Sequence, residues 1–411
     1  DDLKVINDAL GHETGDQLLK MMGHDLAGLA RADDFVGRMN GDEFIVIIHE
    51  AASEQVALLV ADRISSVLSR PIDVGPKKLS RTVSIGVTVG RSGESTPDGL
   101  LSEADAAMYA AKAAGKNAVR FFDESLQAQV LQRFEQEMSL RHAIETEGEI
   151  VVHYQPEIDI LTGELLGVEA LVRWNHPERG ILAAGAFIET AEACGLVVPL
   201  GRIVLKQATA QLAKWLKAHP ELDLKMRINA SPAQLVGPDF VTEVGYALYE
   251  NSLAASRICI EVTEHVVMDH KGQGMEILHR LRTLGVELAI DDFGTGYSSM
   301  SQLKRLPVDT LKIDRAFVTD LPTDVHDQAI VDAMIRLAEA FQLDVVAEGV
   351  ETEEHVLELA KRGCRRVQGY LLARPMAADA IEELLGKPFM AGRLNLAAGE
   401  ALTGLPSPIG D

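Results

Sequence analysis

The chain is poor in cysteine, in aromatic residues and in basic residues. Its three cysteines, Cys194, Cys259 and Cys364, lie far apart and form no C-x-x-C pair. This spacing excludes a disulfide framework and a thiolate zinc site, and it is typical of a protein of the reducing cytoplasm. Aromatic residues make up 5 % of the chain against 47 % for all hydrophobic residues. We therefore expect cores built mainly from Ala, Leu, Ile and Val.

Basic residues are outnumbered by acidic ones, 39 Lys and Arg against 62 Asp and Glu, which gives a formal net charge of −23. Such a charge repels polymeric nucleic acid and anionic membrane surfaces, so we expect neither as a partner. No apolar run reaches 18 residues and the first residues do not resemble a signal peptide, so no membrane span is predicted. Because the chain begins at Asp1 inside a patterned segment, we expect the native protein to carry a further region upstream, sensory or membrane-bound.

A length of 411 residues predicts two or three domains. In residues 1–122, helical patterns flank two short apolar runs, FVGRM and EFIVII, which are separated by Asn-Gly-Asp at 40–42. Asn-Gly between apolar runs is a strong hairpin signal. With a strand in RTVSIGVTVG and an Ala-rich helix over 101–114, this segment is predicted to be a mixed α/β domain. A linking helix is predicted over 123–147.

Eight strand-like apolar runs follow between residues 148 and 390, and helical patterns separate most of them. Eight strands alternating with helices over about 250 residues are typical of a (β/α)8 barrel. Residues 391–411 contain Pro and Gly and are expected to form a loosely packed tail. The eight runs are IVVHYQP, LLGVEALVRW, KMRINAS, ICIEVTE, ELAIDDFG, TLKID, DVVAEGV and RVQGYLLA.

Polar side chains stand toward the carboxyl ends of these runs. Because strand ends converge on one face of a barrel, where active sites are built, we expect these side chains to meet. Six of them are carboxylates, which ionise together only beside compensating cations. The polar positions are Glu169, Asn229, Glu261, Glu264, Asp291, Asp292, Lys312, Glu348 and Gln368.

The donor set indicates a site for Mg²⁺ or Mn²⁺. Oxygen ligands without His or Cys favour these ions over zinc. The adjacent Asp291 and Asp292 are suited to hold two ions about 3.5–4 Å apart, the separation that clamps the attacking and leaving oxygens of a phosphodiester. A single acidic residue after a strand is more often a helix cap, but the whole set together favours phosphodiester hydrolysis.

Two further features support the same site. Lys312 lies within a barrel strand and is expected to face inward among the carboxylates, where it would help to orient or deprotonate the attacking water. Gly294 and Gly296 of FGTGYSS permit backbone conformations that close over a site, which predicts a mobile loop.

The order of these motifs resembles the EAL domain, a family of cyclic di-GMP phosphodiesterases with a TIM-like barrel. EALVRW is preceded by YQP and followed by RINAS, EVTE, DDFGTGYSS, LKID, AEGVE and QGY, over residues 128–390. The resemblance implies that the substrate is cyclic di-GMP and that the product is linear pGpG.

The resemblance also implies a role for each matching position. Lys312 would assist the nucleophilic water, Glu264 would anchor the DDFGTGYSS loop, and Gln368 would hold the site or the ligand. Gln155 and Arg173 would contact the dinucleotide. The implied metal ligands are Glu169, Asn229, Glu261, Asp291 and Asp292, with Glu348 supporting the two metals or a bound water. The implied catalytic set is Lys312, Glu348 and Glu169.

Residues 1–122 resemble the GGDEF domain, a family of diguanylate cyclases that make cyclic di-GMP from two GTP. The matching segments are INDALGHETGDQLL, RMNGDEF, VSIGV and AAKAAGKNAV. Arg31 and Asp34 match the family's product-binding inhibitory site, five residues before NGDEF. The positions implied to bind GTP are Asn7, Asp16, Asn40, Gly41, Asp42, Glu43, Lys112 and Lys116.

Two features argue against cyclase activity. Asn40 replaces the first Gly of the signature and adds a side chain where the family needs bare backbone beside guanine. The family's first metal-binding Asp would precede Asp1. We therefore predict that the first domain binds GTP as a regulatory ligand of the phosphodiesterase. We also predict that the protein is a homodimer. The alternatives are a bifunctional cyclase and phosphodiesterase, and a catalytically inactive cyclic di-GMP receptor.

Overall fold

The computed structural model describes residues 1, 3–49, 53–74, 77–79, 81–91, 93–237, 239–264, 273–294 and 303–387. Internal contacts divide the chain into two compact units, residues 1–136 and 137–411. The predicted tail over 391–411 and the loop position Gly296 lie outside the described residues. The domain limits drawn from the sequence remain predictions.

In the first unit, helices alternate with short strands. The helices are α1 (Leu3–Leu10), α2 (His12–Leu29), α3 (Glu54–Leu68), α4 (Pro97–Ala113) and α5 (Glu124–Glu145), the last of which continues into the second unit. The strands are β1 (Phe35–Arg38), β2 (Phe44–Ile47), β3 (Ile72–Val74), β4 (Lys77–Leu79), β5 (Ile85–Val87) and β6 (Val119–Phe121). The pairs β1–β2 and β3–β4 are antiparallel, whereas β5 and β6 pair in parallel.

The hairpin predicted at residues 40–42 is confirmed, because β1 and β2 pair directly across it. Gly41 adopts φ +56° in the turn, a conformation that glycine takes without strain. The Ala-rich helix begins at Pro97, earlier than the predicted 101, because the Thr96 side chain accepts the Gly99 N–H and caps its first turn. The strand predicted in RTVSIGVTVG is shorter than its apolar pattern and covers only β5.

The second unit is built around a closed eight-stranded barrel. Its strands are β7 (Ile150–Asp159), β8 (Leu165–His176), β9 (Gly180–Ala183), β10 (Lys225–Asn229), β11 (Ile258–Thr263), β12 (Glu287–Phe293), β13 (Thr310–Ile313), β14 (Asp344–Ala347) and β15 (Arg366–Val367). Its helices are α6 (Ile188–Ala193), α7 (Val197–Ala218), α8 (Pro232–Val236), α9 (Phe240–Glu250), α10 (Gln273–Leu284), α11 (Arg315–Thr319), α12 (Val325–Phe341), α13 (Glu353–Lys361) and α14 (Ala378–Glu382).

The barrel closes in the order β7, β8, β10, β11, β12, β13, β14, β15 and back to β7, and β9 extends the sheet beside β8. All eight predicted runs form barrel strands. β7 differs from the parallel strands typical of the predicted (β/α)8 barrel, because it runs antiparallel to both β8 and β15. The connection over residues 160–164 is too short for the crossover that parallel neighbours require.

The barrel core consists of aliphatic strand residues packed beneath the helices. Ile260, Leu288 and Leu311 are fully buried, and Trp215 of α7 packs edge-on against Tyr154 of β7. Strands that are apolar on both faces are typical of a parallel barrel covered by helices. No helix of the described residues combines the length and the apolar composition needed to cross a membrane.

Candidate active site

Lys312 of β13 lies at the centre of the predicted polar cluster. Its side chain is fully buried, and its Nζ lies 2.8 Å from Glu261 Oε2 and 3.2 Å from Asp291 Oδ1. The same Nζ lies 2.5 Å from Glu348 Oε1 and 3.7 Å from Glu169 Oε2. The structure therefore brings together four of the predicted carboxylates around one ammonium group.

Strand register explains why residues so distant in sequence meet here. Parallel pairing places Asn229 beside Glu261, and Thr263 beside Asp291, on neighbouring strands. Because side chains alternate along a strand, only every second residue faces the barrel interior. The polar residues occupy interior positions near the carboxyl ends, whereas the aliphatic residues between them face the helices.

Asp291 and Asp292 are consecutive, and an undistorted strand would direct them to opposite faces. The pairing of β12 with β13 shifts register between Ile290 and Phe293, and Asp292 adopts φ +54°. This bulge breaks the alternation at a residue type that tolerates the left-handed region. As a result, carboxylate oxygens of Asp291, Asp292 and Glu348 lie within 4.8 Å of one another.

Glu169 is fixed by hydrogen bonds to both of its oxygens. Asn229 Nδ2 donates to Oε1 at 2.7 Å, and Gln368 Nε2 donates to Oε2 at 2.5 Å. Gln368 also donates to Gln155 Oε1 at 3.1 Å, and Gln155 Nε2 donates to the Ala373 carbonyl at 3.1 Å. The predicted residues Gln155, Asn229 and Gln368 therefore form one network that orients this carboxylate.

A buried ion pair that sequence analysis missed lies beneath the cluster. Arg227 and Glu157 are almost fully buried and form a two-point salt bridge, with Nη2 to Oε1 at 3.1 Å. Arg227 Nη1 also lies 3.8 Å from Glu261 Oε1, an oxygen that accepts no hydrogen bond from the described part of the chain. Charged residues inside the apolar runs KMRIN and YQPEID were the only sequence signal for this pair.

Asp314 is a second residue that the sequence analysis did not select. It follows Lys312 by two positions, caps α11 by accepting the Ala316 N–H at 2.8 Å, and contributes to the raised pKa of Asp292. Its position after a barrel strand is the same signal that identified the other acidic residues.

The electrostatics of the cluster follow from burial and like charges. Burial alone would lower the pKa of Lys312, but Asp291, Glu169 and the other carboxylates raise it well above its usual value, so the ammonium group stays charged. Burial raises the pKa of Glu348 to about 8 despite the opposing Lys312. Burial and the neighbouring Asp291 raise the pKa of Asp292 to about 6.

The residues present fit a divalent cation. Four carboxylates surround one lysine, Asp292 adds a fifth carboxylate beside them, and the oxygens of Asp291, Asp292 and Glu348 are close enough to bind a common ion. Glu261 Oε1 accepts no hydrogen bond from the described residues, and the pKa values of Asp292 and Glu348 are raised. Both observations indicate a surplus of negative charge in the cluster. Carboxylate and amide oxygens are the donors that Mg²⁺ and Mn²⁺ prefer.

The predicted loop anchor and the predicted substrate contact lie at the edge of this cluster. Glu264 Oε2 accepts the Gly294 N–H at 3.1 Å, and Gly294 adopts φ +98°, a conformation that favours glycine. The rest of FGTGYSS, from residue 295, lies outside the described residues. Arg173 is half-buried and donates from Nη1 to the Val172 carbonyl at 2.8 Å.

In the first unit, the residues predicted to bind GTP occupy helix and turn positions. Asn7 on α1 has a buried Oδ1 without a hydrogen-bond partner among the described residues. The exposed positions are Asp16 on α2, Lys112 near the end of α4, Lys116 just after α4, and Asn40, Gly41, Asp42 and Glu43 in the β1–β2 turn.

The predicted inhibitory pair, Arg31 and Asp34, lies in the turn before β1. The Asp34 carboxylate accepts the backbone N–H groups of Arg31 at 2.7 Å and of His49 at 3.2 Å, and these bonds lower its pKa. The carboxylate therefore closes the turn, and the Arg31 side chain remains exposed.

Comparison with known proteins agrees with both resemblances. The EAL domain model matches residues 137–375, and the model of the diguanylate cyclase GGDEF domain matches residues 1–118. The chain is 39 % identical over 381 residues to the bifunctional diguanylate cyclase/cyclic di-GMP phosphodiesterase MucR of Pseudomonas aeruginosa, covering 93 % of this chain and 55 % of MucR. It is also 39 % identical over 385 residues to the cyclic di-GMP phosphodiesterase NbdA of that organism, covering 94 % of this chain and 49 % of NbdA.

The chain thus spans about half of the length of these curated relatives. A solved structure of the MucR phosphodiesterase in complex with cyclic di-GMP is 42 % identical and superposes with a TM-score of 0.58, covering 60 % of this chain and 99 % of that chain. The EAL model alone matches more than half of the sequence. The chain therefore belongs to the EAL domain family and carries a GGDEF domain ahead of its EAL barrel.

Proposed function

We propose that the barrel hydrolyses cyclic di-GMP to linear pGpG with two divalent ions, Mg²⁺ or Mn²⁺. The observation that carries the proposal is the buried Lys312, whose ammonium group lies within 3.7 Å of four carboxylates at the strand ends. The substrate is supported by the names of MucR and NbdA and by the cyclic di-GMP bound to the MucR phosphodiesterase.

The ions would be held by Asp291, Asp292, Glu261, Glu169 and Asn229, with Glu348 as a supporting group. When bound, divalent ions supply positive charge that polarises a phosphodiester and lowers the pKa of water. The bulge at Asp292 serves this purpose, because it brings two consecutive carboxylates to one side of the strand.

The residues of the chain have separate tasks in this proposal. Lys312 stays charged, holds the carboxylates in place and orients the attacking water together with Glu348. Gln155 and Gln368 fix the position of Glu169, so that its oxygens keep one orientation. Arg173, at the edge of the cluster, offers a cation to a phosphate of the dinucleotide.

Glu169→Ala tests the proposal against a receptor that only binds cyclic di-GMP. We expect the variant to lose hydrolysis in Mn²⁺ while its circular dichroism spectrum stays unchanged, because one ligand on a rigid strand is not needed for the fold. Glu178→Ala, an exposed carboxylate beyond the same strand, is the matched control. Wild-type hydrolysis by Glu169→Ala would contradict the assignment, and an inactive wild-type chain that still binds the dinucleotide would favour the receptor.

We further propose that the first unit binds GTP and regulates the barrel. Asn40 in the turn and the exposed cations Lys112 and Lys116 support nucleotide binding without cyclisation. GTP is expected to raise cyclic di-GMP hydrolysis by a factor in the range typical of allosteric coupling, about 5 to 150. Calorimetric titration with parallel assays tests this: no binding, or saturation without a change in rate, rejects it, and formation of cyclic di-GMP from GTP supports the bifunctional alternative. The homodimer remains a prediction, which sedimentation analysis tests.

A further inference from the structure

The layer of side chains beneath the carboxylate cluster contains a charged pair where a barrel is usually aliphatic. Arg227 lies two positions before Asn229 on β10, so both side chains face the barrel interior. Glu157 lies two positions after Gln155 on β7 and faces the interior for the same reason. The interior layers of a (β/α)8 barrel are normally filled by Val, Ile and Leu. Arg227 and Glu157, both almost fully buried, therefore occupy space that aliphatic side chains could fill.

Glu157 anchors the guanidinium of Arg227 from the other side of β8. Gly167 of β8 is the register partner of Glu157, and because it carries no side chain the salt bridge can pass over it. Arg227 Nε and Nη2 both donate to the Glu157 carboxylate, the latter to Oε1 at 3.1 Å. Two bonds to one carboxylate hold the planar guanidinium in a single orientation. The anchor therefore also sets the direction of the third nitrogen, Nη1.

Nη1 of Arg227 is directed at β11, the strand that carries Glu261. It donates to Cys259 Sγ at 3.3 Å and lies 3.8 Å from Glu261 Oε1. The other oxygen, Glu261 Oε2, accepts a hydrogen bond from Lys312 Nζ at 2.8 Å. Glu261 is thus fully buried between two cations. Its Oε1 accepts no hydrogen bond from the described residues, which leaves this oxygen available to a divalent ion.

Stability alone does not account for the buried pair. The cost of removing two charges from water offsets most of their attraction, so an apolar pair of similar volume is often as stable or more stable. An apolar pair would lack a charged group beside Glu261. Glu157 also balances the charge of Arg227, so the guanidinium can orient Glu261 without adding net positive charge that would oppose a bound ion.

We propose that Arg227, anchored by Glu157, is a positioning residue that fixes the orientation of Glu261 as a metal ligand. The inference rests on the proposed function and adds to it the group that orients one ligand from beneath. Loss of a residue that orients a metal ligand typically costs about 10- to 100-fold in metal affinity or activity.

Calorimetric titration with Mn²⁺, in the absence of substrate, tests the positioning role. Arg227→Met combined with Glu157→Leu removes both charges, and we expect its Mn²⁺ affinity to fall about 10- to 100-fold. Its Tm in EDTA should not fall, because an apolar pair replaces the ion pair. Lys225→Met combined with Glu287→Leu is the matched control, since it removes a partly exposed ion pair that begins two positions earlier on the same strand. The control should keep the Mn²⁺ affinity of the wild type.

Arg227→Lys separates the orienting role from the filling of the layer. Its single ammonium group keeps the charge but cannot hold Glu157 at two points and face Glu261 as well. We expect the same fall in Mn²⁺ affinity and, in saturating Mn²⁺, a kcat about 10- to 100-fold lower with KM for cyclic di-GMP within about twofold of the wild type.

Wild-type Mn²⁺ affinity in either folded variant would overturn the role of Arg227, and so would an equal fall in the Lys225 and Glu287 control. A wild-type chain that binds no Mn²⁺ would refute the proposed metal site itself and the role of Arg227 with it. The titration of the wild type therefore distinguishes failure of the proposed function from failure of this inference.

Discussion

Replacing Lys312 with methionine tests whether one buried cation organises the site. The substitution keeps most of the length of the side chain but removes the charge that four carboxylates share at 2.5–3.7 Å. Removing one partner of a buried ion pair typically costs about 3–5 kcal/mol, because the opposite charge is left uncompensated. For a unit of this size, such a loss lowers Tm by about 6–20 °C.

The thermal measurement is made in EDTA and again in Mn²⁺. We expect the loss in Tm to be largest in EDTA and smaller in Mn²⁺, since divalent ions replace part of the missing positive charge. Lys225→Met is the matched control: Lys225 also pairs with a carboxylate on a barrel strand, Glu287, at 2.7 Å, but both side chains are about a quarter exposed. A partly solvated pair contributes only about 0–1 kcal/mol.

Turnover provides the second measurement on Lys312→Met. If Lys312 positions or activates the attacking water, kcat should fall by about 10² or more while cyclic di-GMP still binds. Wild-type kcat would refute the role of Lys312 in the reaction. An equal loss of binding and turnover would show that the lysine contacts the ligand instead.

The remaining predictions concern the ions, pH and the loop. Ca²⁺ should support hydrolysis poorly compared with Mg²⁺ or Mn²⁺, because its larger and looser coordination spoils a two-ion site, and equal rates would contradict this. The pKa values of Asp292 and Glu348 are raised to about 6 and about 8, and ions bind the ionised carboxylates. Apparent Mn²⁺ affinity should therefore rise with pH through both values and level off only after Glu348 is fully ionised; a flat titration would be evidence against it. Gly294→Ala should lower turnover at least about tenfold, since φ +98° is strained for a residue with a Cβ, whereas Gly185→Ala, in open space, should leave turnover unchanged.

The barrel was predictable because each strand carries its own signal, a short apolar run with a polar residue toward its carboxyl end. The reversal of β7 was not visible in IVVHYQP, since the composition of a run is the same in either direction. Its signal lay in the connection over residues 160–164, which includes Gly163 at φ +72° and leaves no space for a crossover helix. The length of a connection therefore carries topological information that the runs lack.

The members of the site were predictable to the extent that strand ends converge. Lys312, Glu261 and Glu348 meet because parallel register places their strand ends together. The side-by-side arrangement of Asp291 and Asp292 depends on a bulge, which sequence periodicity does not reveal. The pairing of residues 157 and 227 depends on a contact between β7 and β10, which lie on either side of β8, and the two residues are 70 positions apart, so only the folded chain shows it.

Incubation of the chain with cyclic di-GMP and Mn²⁺, followed by chromatographic analysis of the nucleotides, tests the central claim most directly. The account predicts conversion to linear pGpG in Mn²⁺ or Mg²⁺, complete loss of conversion in EDTA, and loss in Glu169→Ala. Cyclic di-GMP that stays intact in the presence of either ion would contradict the claim, and undiminished hydrolysis in EDTA would contradict the two-metal site.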